Sequence, residues 1–347
     1  MNLRELSEHL GLSQTTVSRA LNGYPEVSEK TRLRVQEAAK SQNYSPNMRA
    51  KSLATGRTMA IGHVIPFSSQ HEMVNVVFSD FLLGASEIYA REGFDIRLTM
   101  VEESQQAEAY ARLAETGAVD GVMVHGPVRD DPRIRTLRKL GLPFVVHGRS
   151  RDAASPFAWM DVDNERAFER ATAFLLDLDH QRIGLVNGIE TMDFAQRRRI
   201  GFEKALAAQG ITADTTLMRS EEMTEPYGYA ATCEMLEHDN PPTAIIASSI
   251  VIALGVRRAI EEHGLVMGED VSVICFDDQL SYLPNGGSSP IFTAARSSVR
   301  AAGRRCAEIL LEMIDNPNTA PVGELWDVDL VVGQSTGPAK QQDARAG

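Results

Sequence analysis

With 347 residues, 43% of them hydrophobic and 24% charged, the chain has the makeup of a soluble globular protein and the length of a short module joined to one or two larger domains. No leading apolar run has the form of a signal peptide and none reaches the ~18 residues needed to span a bilayer, so a cytoplasmic protein without a membrane partner is expected. The net charge of −12 is unevenly divided: residues 1–58 hold nine Lys/Arg against five Asp/Glu, a balance of +4, and leave the remainder at −16. An acidic body repels phosphate, so only the N-terminal end suits a polyanion, with an affinity that falls as salt rises. Cys233, Cys275 and Cys306 are far apart, odd in number and flanked by apolar residues, which fits reduced core thiols better than disulfides or a metal site.

In chain order, Leu3, Leu6 and Leu10 recur at helical spacing behind Asn2, with Glu5 placed to complete a capping box. Gly11 ends that helix and Ser13 caps a second. There Val17, Ala20 and Leu21 fall on one face, and Gln14, Thr15, Ser18 and Arg19 on the other. The free face suits a major groove, because Gln pairs bidentately with adenine, Arg with guanine, and Thr meets a thymine methyl; a solvated surface helix shares the same pattern. After the turn Gly23-Tyr24-Pro25-Glu26, Ser28 caps a third helix running to about Ser41, which closes a core of about fifty residues. Residues 47–58 would make a helix of only about nine residues, shorter than the ~12–15 that hold in water without support.

From Met59 onward, short β-branched runs alternate with amphipathic stretches: Ala60–Pro66, Asp95–Val101, Gly121–Pro127, Pro143–Arg149, Arg182–Gly188, Ala244–Ser249 and Val271–Asp278. Such alternation predicts parallel sheets flanked by helices. The Trp159–Asp163 run begins a second half that repeats the first in outline. Strands near Phe292–Ser297 and Leu325–Val332 are expected to return to the first and second halves in turn. Residues 337–347 show no apolar periodicity and are expected to be disordered.

Gly11-Leu12-Ser13, Thr16-Val17-Ser18-Arg19 and Leu21-Asn22 together resemble the N-terminal motif of the lactose-repressor/galactose-repressor family of bacterial transcription regulators. The resemblance implies an all-α helix-turn-helix domain over residues 1–46, a hinge over 47–58, and a two-subdomain periplasmic-binding-protein-like α/β domain over 59–336. Its three crossings would lie near residues 158, 290 and 322, giving an N-subdomain of about 59–157 and 291–321 and a C-subdomain of about 158–290 and 322–336. Gln14, Thr15 and Arg19 would then face bases, and Ser13, Thr16, Ser18 and Asn22 the sugar-phosphate backbone. Ala50 would belong to the hinge, and Leu53 would wedge into the minor groove of a pseudo-palindromic operator bound by a homodimer; a plain flexible linker is the alternative for this segment. The first helix of the body, Asn75–Arg91, would supply part of the dimer interface.

The resemblance also implies an effector cleft between subdomains. Arg198, three places before Gly201-Phe202, matches the effector-binding arginine, and Asp277 matches a carboxylate that accepts hydrogen bonds from ligand hydroxyls. Further candidates at strand ends are Phe67, Ser68, His125, Arg149 and Asp163; a turn or helix-cap role competes at each. Ser249 stands where many members carry Asn-Asp, and Gln334 where an Arg is common. A sugar, with an α-glucoside disaccharide as the first expectation and a purine or nucleoside as the alternative, is the implied effector of a repressor of carbohydrate utilisation. A sugar-binding protein without regulation is a further alternative.

No enzyme, cofactor or metal is expected. His71-Glu72-Met73-Val74-Asn75 lacks the second histidine of a zinc helix, and Asp161-Val162-Asp163-Asn164-Glu165 lacks the turn glycine and bidentate glutamate of a calcium loop. The chain has no phosphate-binding Gly-Lys-Ser/Thr loop and no Gly-x-Ser-x-Gly elbow.

Overall fold

The computed structural model describes residues 2–21, 24–42, 44, 57–66, 76–150, 156–276 and 279–340. The chain divides into two units, a small one of Met1–Met59 with Gly117–Val119 and a large one of Ala60–Thr116 with the chain from Asp120 onward.

The small unit is three helices, α1 (Leu3–Leu10), α2 (Gln14–Leu21) and α3 (Glu29–Ser41). The amide of Glu5 donates to Asn2 Oδ1 at 3.0 Å and the amide of Asn2 donates back to the Glu5 carboxylate at 3.0 Å, so the capping box forms. Gly11, at φ +61°, takes the left-handed position that ends α1 and lets the chain turn at once into α2. Leu6, Leu10, Val17, Ala20, Val27, Val35 and Ala39 fill the core.

The large unit holds two six-stranded sheets. Strands β1 (Ala60–Pro66), β2 (Asp95–Val101), β3 (Gly121–His125), β4 (Phe144–His147), β5 (Ala158–Val162) and β13 (Gly323–Trp326) form the first, in the order β13-β5-β4-β3-β1-β2. The second runs β14-β12-β9-β8-β6-β7, from β6 (Ile183–Asn187), β7 (Met218–Ser220), β8 (Ala244–Ala247), β9 (Ser272–Phe276), β12 (Thr293–Arg296) and β14 (Asp329–Val331). All pairings in these two sheets are parallel except β12 with β14. A small hairpin, β10 (Gln279–Leu280) with β11 (Leu283–Pro284), lies outside both.

Helices α4 (Val76–Glu92), α5 (Gln106–Glu115), α6 (Pro132–Leu140) and α11 (Val299–Asp315) pack with the first sheet or with each other beside it; α7 (Asn164–Asp177), α8 (Asp193–Ala208), α9 (Glu225–Leu236) and α10 (Ile250–Glu262) do so for the second. Central strands such as β6 and β9 are buried along their whole length, which is why they read as continuous apolar runs. The helix pairs meet through glycine. A Cβ on Gly84 of α4 would stand 2.0 Å from the Arg300 carbonyl of α11, and one on Gly201 of α8 would stand 2.0 Å from the Glu165 carbonyl of α7.

The doubly divided α/β architecture is as expected, but the crossings are displaced. β5 pairs with β4 and β13, so the first passes after Val162 and not near 158. β12 pairs with β9, so Phe292–Ser297 stays in the second half; the chain crosses only between β12 and α11, not near 290. The third crossing lies between β13 and β14, not near 322. Each of these strands is a short segment of three to five residues, and its pairing partners, which so short a segment does not specify, decide which sheet takes it.

Residues 337–340 also depart from the expected disorder. The amide of Gly337 donates to Ser272 Oγ at 3.1 Å, its carbonyl lies 2.9 Å from His180 Nε2, and the amide of Ala339 donates to the Leu178 carbonyl at 2.8 Å. Backbone bonding, which needs no apolar side chain, holds this stretch. Residues 341–347 lie outside the described residues, as do those of the expected hinge from 47 to 56.

Candidate nucleic-acid interface and inter-subdomain cleft

On α2 the packing face and the reading face separate cleanly. Val17 and Ala20 are fully buried, while Gln14, Thr15 and Arg19 are exposed. Ser13 Oγ accepts from the amide of Thr16 at 3.0 Å and lies 2.8 Å from Thr16 Oγ1, so the cap and the first turn share one hydroxyl pair. Ser18 is half-buried beside them. A helix of eight residues, capped at its start and held by two neighbours, thus offers an amide, a hydroxyl and a guanidinium from its outer face. Asn22, Ala50 and Leu53 lie outside the described residues.

In the large unit, a line of buried polar groups runs through the first crossing. Arg149, just after β4, donates from Nε to Asp161 Oδ2 at 2.8 Å. Asn164, the first residue of α7, donates from Nδ2 to Asp161 Oδ1 at 3.1 Å and to the Val162 carbonyl at 3.1 Å. Its Oδ1 accepts from Arg198 Nε at 2.8 Å, and Arg198 Nη1 donates to the Ser248 carbonyl at 2.6 Å. The guanidinium carbon of Arg198 stands 4.0 Å from the ring centroid of Phe276, 4.8 Å from Phe194 and 5.3 Å from Phe168, so its planar cation is held by aromatic faces as well as by acceptors.

Asp161, Asn164 and Arg198 are all buried. Burial pushes the Asp161 carboxyl above its ordinary pKa, against the pull of the Arg149 guanidinium. The line joins a strand of the first subdomain to two helices of the second and to the loop after β8. Within the line, the bond between Asn164 and Asp161 is the link from one subdomain to the other.

The expected cleft residues divide. Arg149 and Arg198 meet through Asp161 and Asn164, two residues that sequence reading missed; the signal was two polar side chains interrupting an apolar run, in the segment set aside as a failed calcium loop. Asp163 instead caps α7, accepting from the amide of Arg166 at 3.2 Å, and Ser249 caps α10, accepting from the amide of Ile252 at 3.2 Å. Its neighbour Ser248 is fully buried with an unpartnered hydroxyl. Phe67, Ser68 and Asp277 lie outside the described residues.

His125 pairs with a histidine the sequence did not single out: His125 Nε2 lies 2.9 Å from His63 Nδ1 of β1, with Phe78 and Phe81 edge-on to its ring at 5.0 Å. Burial lowers His63 and His147 to about 4, and burial together with the neighbouring histidines and Arg133 lowers His125 well below 6.5, so all three are neutral at pH 7.

A helix-turn-helix that presents a polar reading face, carried with a paired-subdomain α/β body, defines a DNA-binding regulator of the periplasmic-binding-protein-like type. Residues 2–47 match bacterial regulatory proteins, lacI family, and residues 172–336 match the periplasmic binding protein-like domain. The chain is 44% identical over 339 residues to the HTH-type transcriptional regulator AglR of Rhizobium meliloti (strain 1021), covering 98% of this chain and 95% of that one. It is 32% identical to the HTH-type transcriptional regulator RafR of Escherichia coli, covering 94% and 96%. Among solved structures it is similar to the lac repressor dimer bound to operator and the anti-inducer ONPF (26% identity, TM-score 0.80, 97% and 99% covered) and to the regulator CelR–cellobiose complex (28%, 0.71, 96% and 99%). The chain belongs to the lacI family of bacterial regulatory proteins and is a DNA-binding transcription regulator.

Proposed function

We propose that two copies of this chain bind a pseudo-palindromic operator through residues 1–57 and repress a carbohydrate-utilisation operon until a sugar, of the α-glucoside disaccharide class, enters the cleft. The observation that carries this reading is the buried line from Arg149 through Asp161 and Asn164 to Arg198 and the Ser248 carbonyl, because one ligand touching Arg198 would act on both subdomains at once. A guanidinium donates to sugar oxygens, and the carboxylate of Asp277, which lies outside the described residues, would accept hydrogen bonds from sugar hydroxyls. The sugar would shift the equilibrium between two subdomain arrangements by its differential affinity for them, and with it the capacity of paired hinges around Leu53 to order on DNA. On this reading the chain is a binding protein and not an enzyme, acts in the cytoplasm, and needs no cofactor or metal.

The test is titration of the purified protein against its own upstream DNA at fixed salt, with and without mono- and disaccharides and purines. Release by one sugar is the expected outcome. Tightening by a purine would replace the inducer reading with a corepressor, and binding no better than to random DNA would remove the operator reading.

A further inference from the structure

The β10–β11 hairpin lies in the chain between β9 and β12, both of the second sheet, yet it packs on α4 and α11, which flank the first. The chain thus leaves the second subdomain, touches the first and returns, a tie additional to its three crossings. Gln279 pairs with Pro284 and Leu280 with Leu283, which leaves Ser281 and Tyr282 as a two-residue turn. Tyr282 is 87% exposed, so the turn is held through Ser281.

Ser281 Oγ donates to Asp80 Oδ1 of α4 at 2.5 Å and accepts from Arg300 Nη1 of α11 at 3.2 Å. Arg300 Nε in turn donates to Glu87 Oε1 at 2.9 Å, and Arg304 Nη1 to Glu87 Oε2 at 2.7 Å. One hydroxyl of the hairpin therefore completes a charged network that otherwise belongs to the first subdomain. Asp80 is buried and its Oδ2 has no partner among the described residues, so withdrawal of Ser281 would leave a buried carboxylate short of a hydrogen bond. Both attachments are stiff. A Cβ on Gly303 of α11 would stand 2.1 Å from the Phe81 carbonyl of α4, so the two helices meet backbone to backbone. At the other end, Asn285 Nδ2 donates to the Phe292 carbonyl and Asn285 Oδ1 accepts from the Phe292 amide, both at 2.8 Å, which pins the hairpin's exit to the residue entering β12. With both ends fixed, a change in the relative position of the subdomains falls on the bonds at the tip.

We propose that the Ser281–Asp80 bond is a latch between the subdomains, made in one of their two arrangements and broken in the other, and that it sets the balance on which a sugar and DNA act. The inference rests on the sugar-release reading given above. A sugar and an operator that favour opposite arrangements are linked, so loss of the latch must move their affinities in opposite directions. A residue that only stabilises the fold has no such signature.

Titration of the full chain against its upstream DNA and against maltose, sucrose and trehalose, in the parent, Ser281→Ala and Ser281→Thr, tests it. Ser281→Ala should shift the constants for DNA and for the releasing sugar about fivefold each, one tighter and the other weaker, while Ser281→Thr, which keeps the hydroxyl, stays within about twofold of the parent. Both constants unchanged, or both weakened, would overturn the latch and leave the sugar reading standing. If none of the three sugars moves DNA binding in the parent, the sugar reading fails and the latch is judged on DNA alone. There, a Ser281→Ala constant within about twofold of the parent overturns it, and an approximately fivefold shift that Ser281→Thr does not share sustains it. If circular dichroism shows Ser281→Ala unfolded, the Asp80→Ala/Ser281→Ala double variant, which strands no carboxylate, is titrated with the same opposed shifts expected.

Discussion

Arg198 Nε donates to Asn164 Oδ1 across 2.8 Å, and neither side chain reaches solvent to any useful extent. Because Asn164 simultaneously donates to Asp161, one amide separates a buried cation from a buried carboxylate while bonding to each. Replacing it with Leu keeps the volume roughly constant but leaves both charges short of a partner, at an expected cost of about 2–4 kcal/mol in unfolding free energy. Urea denaturation of Asn164→Leu measures this. A loss below about 0.5 kcal/mol would mean that the line contributes little to the fold. Arg198→Ala in the same background should be less damaging than in the parent, since the two residues share an interaction and their effects are not additive.

The three histidines on neighbouring strands of the first sheet predict acid sensitivity. His63 and His147 have folded pKa values of about 4, below the ordinary 6.5, and His125 is held well below 6.5 by burial and then by its neighbouring histidines and Arg133. A depressed folded value contributes stability that is present above pH 6.5 and is lost as pH falls towards 4, because the unfolded chain binds protons that the native state refuses. His63 alone accounts for about 2–3 kcal/mol between pH 7 and 4.5. Asp161 works in the opposite direction, since its raised folded value favours the native state in acid, but it is one group against three. Denaturant midpoints should fall steadily from pH 7 to 4.5, and His63→Phe should flatten the slope. A pH-independent midpoint in the parent would contradict the buried neutral cluster.

How much of this was legible beforehand depends on the range of each interaction. The capping box of Asn2 with Glu5 and the turn at Gly11 are decided within four residues, and the structure has both as the sequence implies. The bounds of β1 and β2 also follow from composition alone. The crossings were misplaced because Ala158–Val162 and Thr293–Arg296 reveal their partners only through pairings with β13, β4 and β9 far along the chain. In the buried polar line, Arg198 is marked by a local motif, whereas Asn164 and Asp161 acquire meaning only when α7 and α8 close through Gly201. Asp163 and Ser249 drew attention as polar residues at strand ends, and such positions are also where helix caps are needed.

The outward face of α2 predicts base-specific losses. Arg19 is exposed and its helix is held from behind by Val17 and Ala20, so Arg19→Ala should leave the fold intact. If Arg19 reads a guanine, the variant should lose about 1–3 kcal/mol of operator affinity and relax discrimination at one base pair in each half-site. Affinity for a panel of operators mutated at single positions separates this from a phosphate contact, which would weaken binding to every sequence alike and flatten the salt dependence.

The proposed role of Leu53 as a minor-groove wedge predicts a different pattern. An apolar side chain inserted between base steps costs a few kcal/mol in unstacking, which contacts to the bent DNA offset. Leu53→Ala should therefore weaken the operator complex about tenfold or more while leaving non-specific binding unchanged, since the latter depends on the basic charge of residues 1–58 and not on bending. Bending, read from the mobility of operator fragments with the site moved along them, should fall in parallel. If operator affinity and bending both match the parent, the hinge acts only as a tether, and the sugar must control DNA binding through the spacing of the two reading helices.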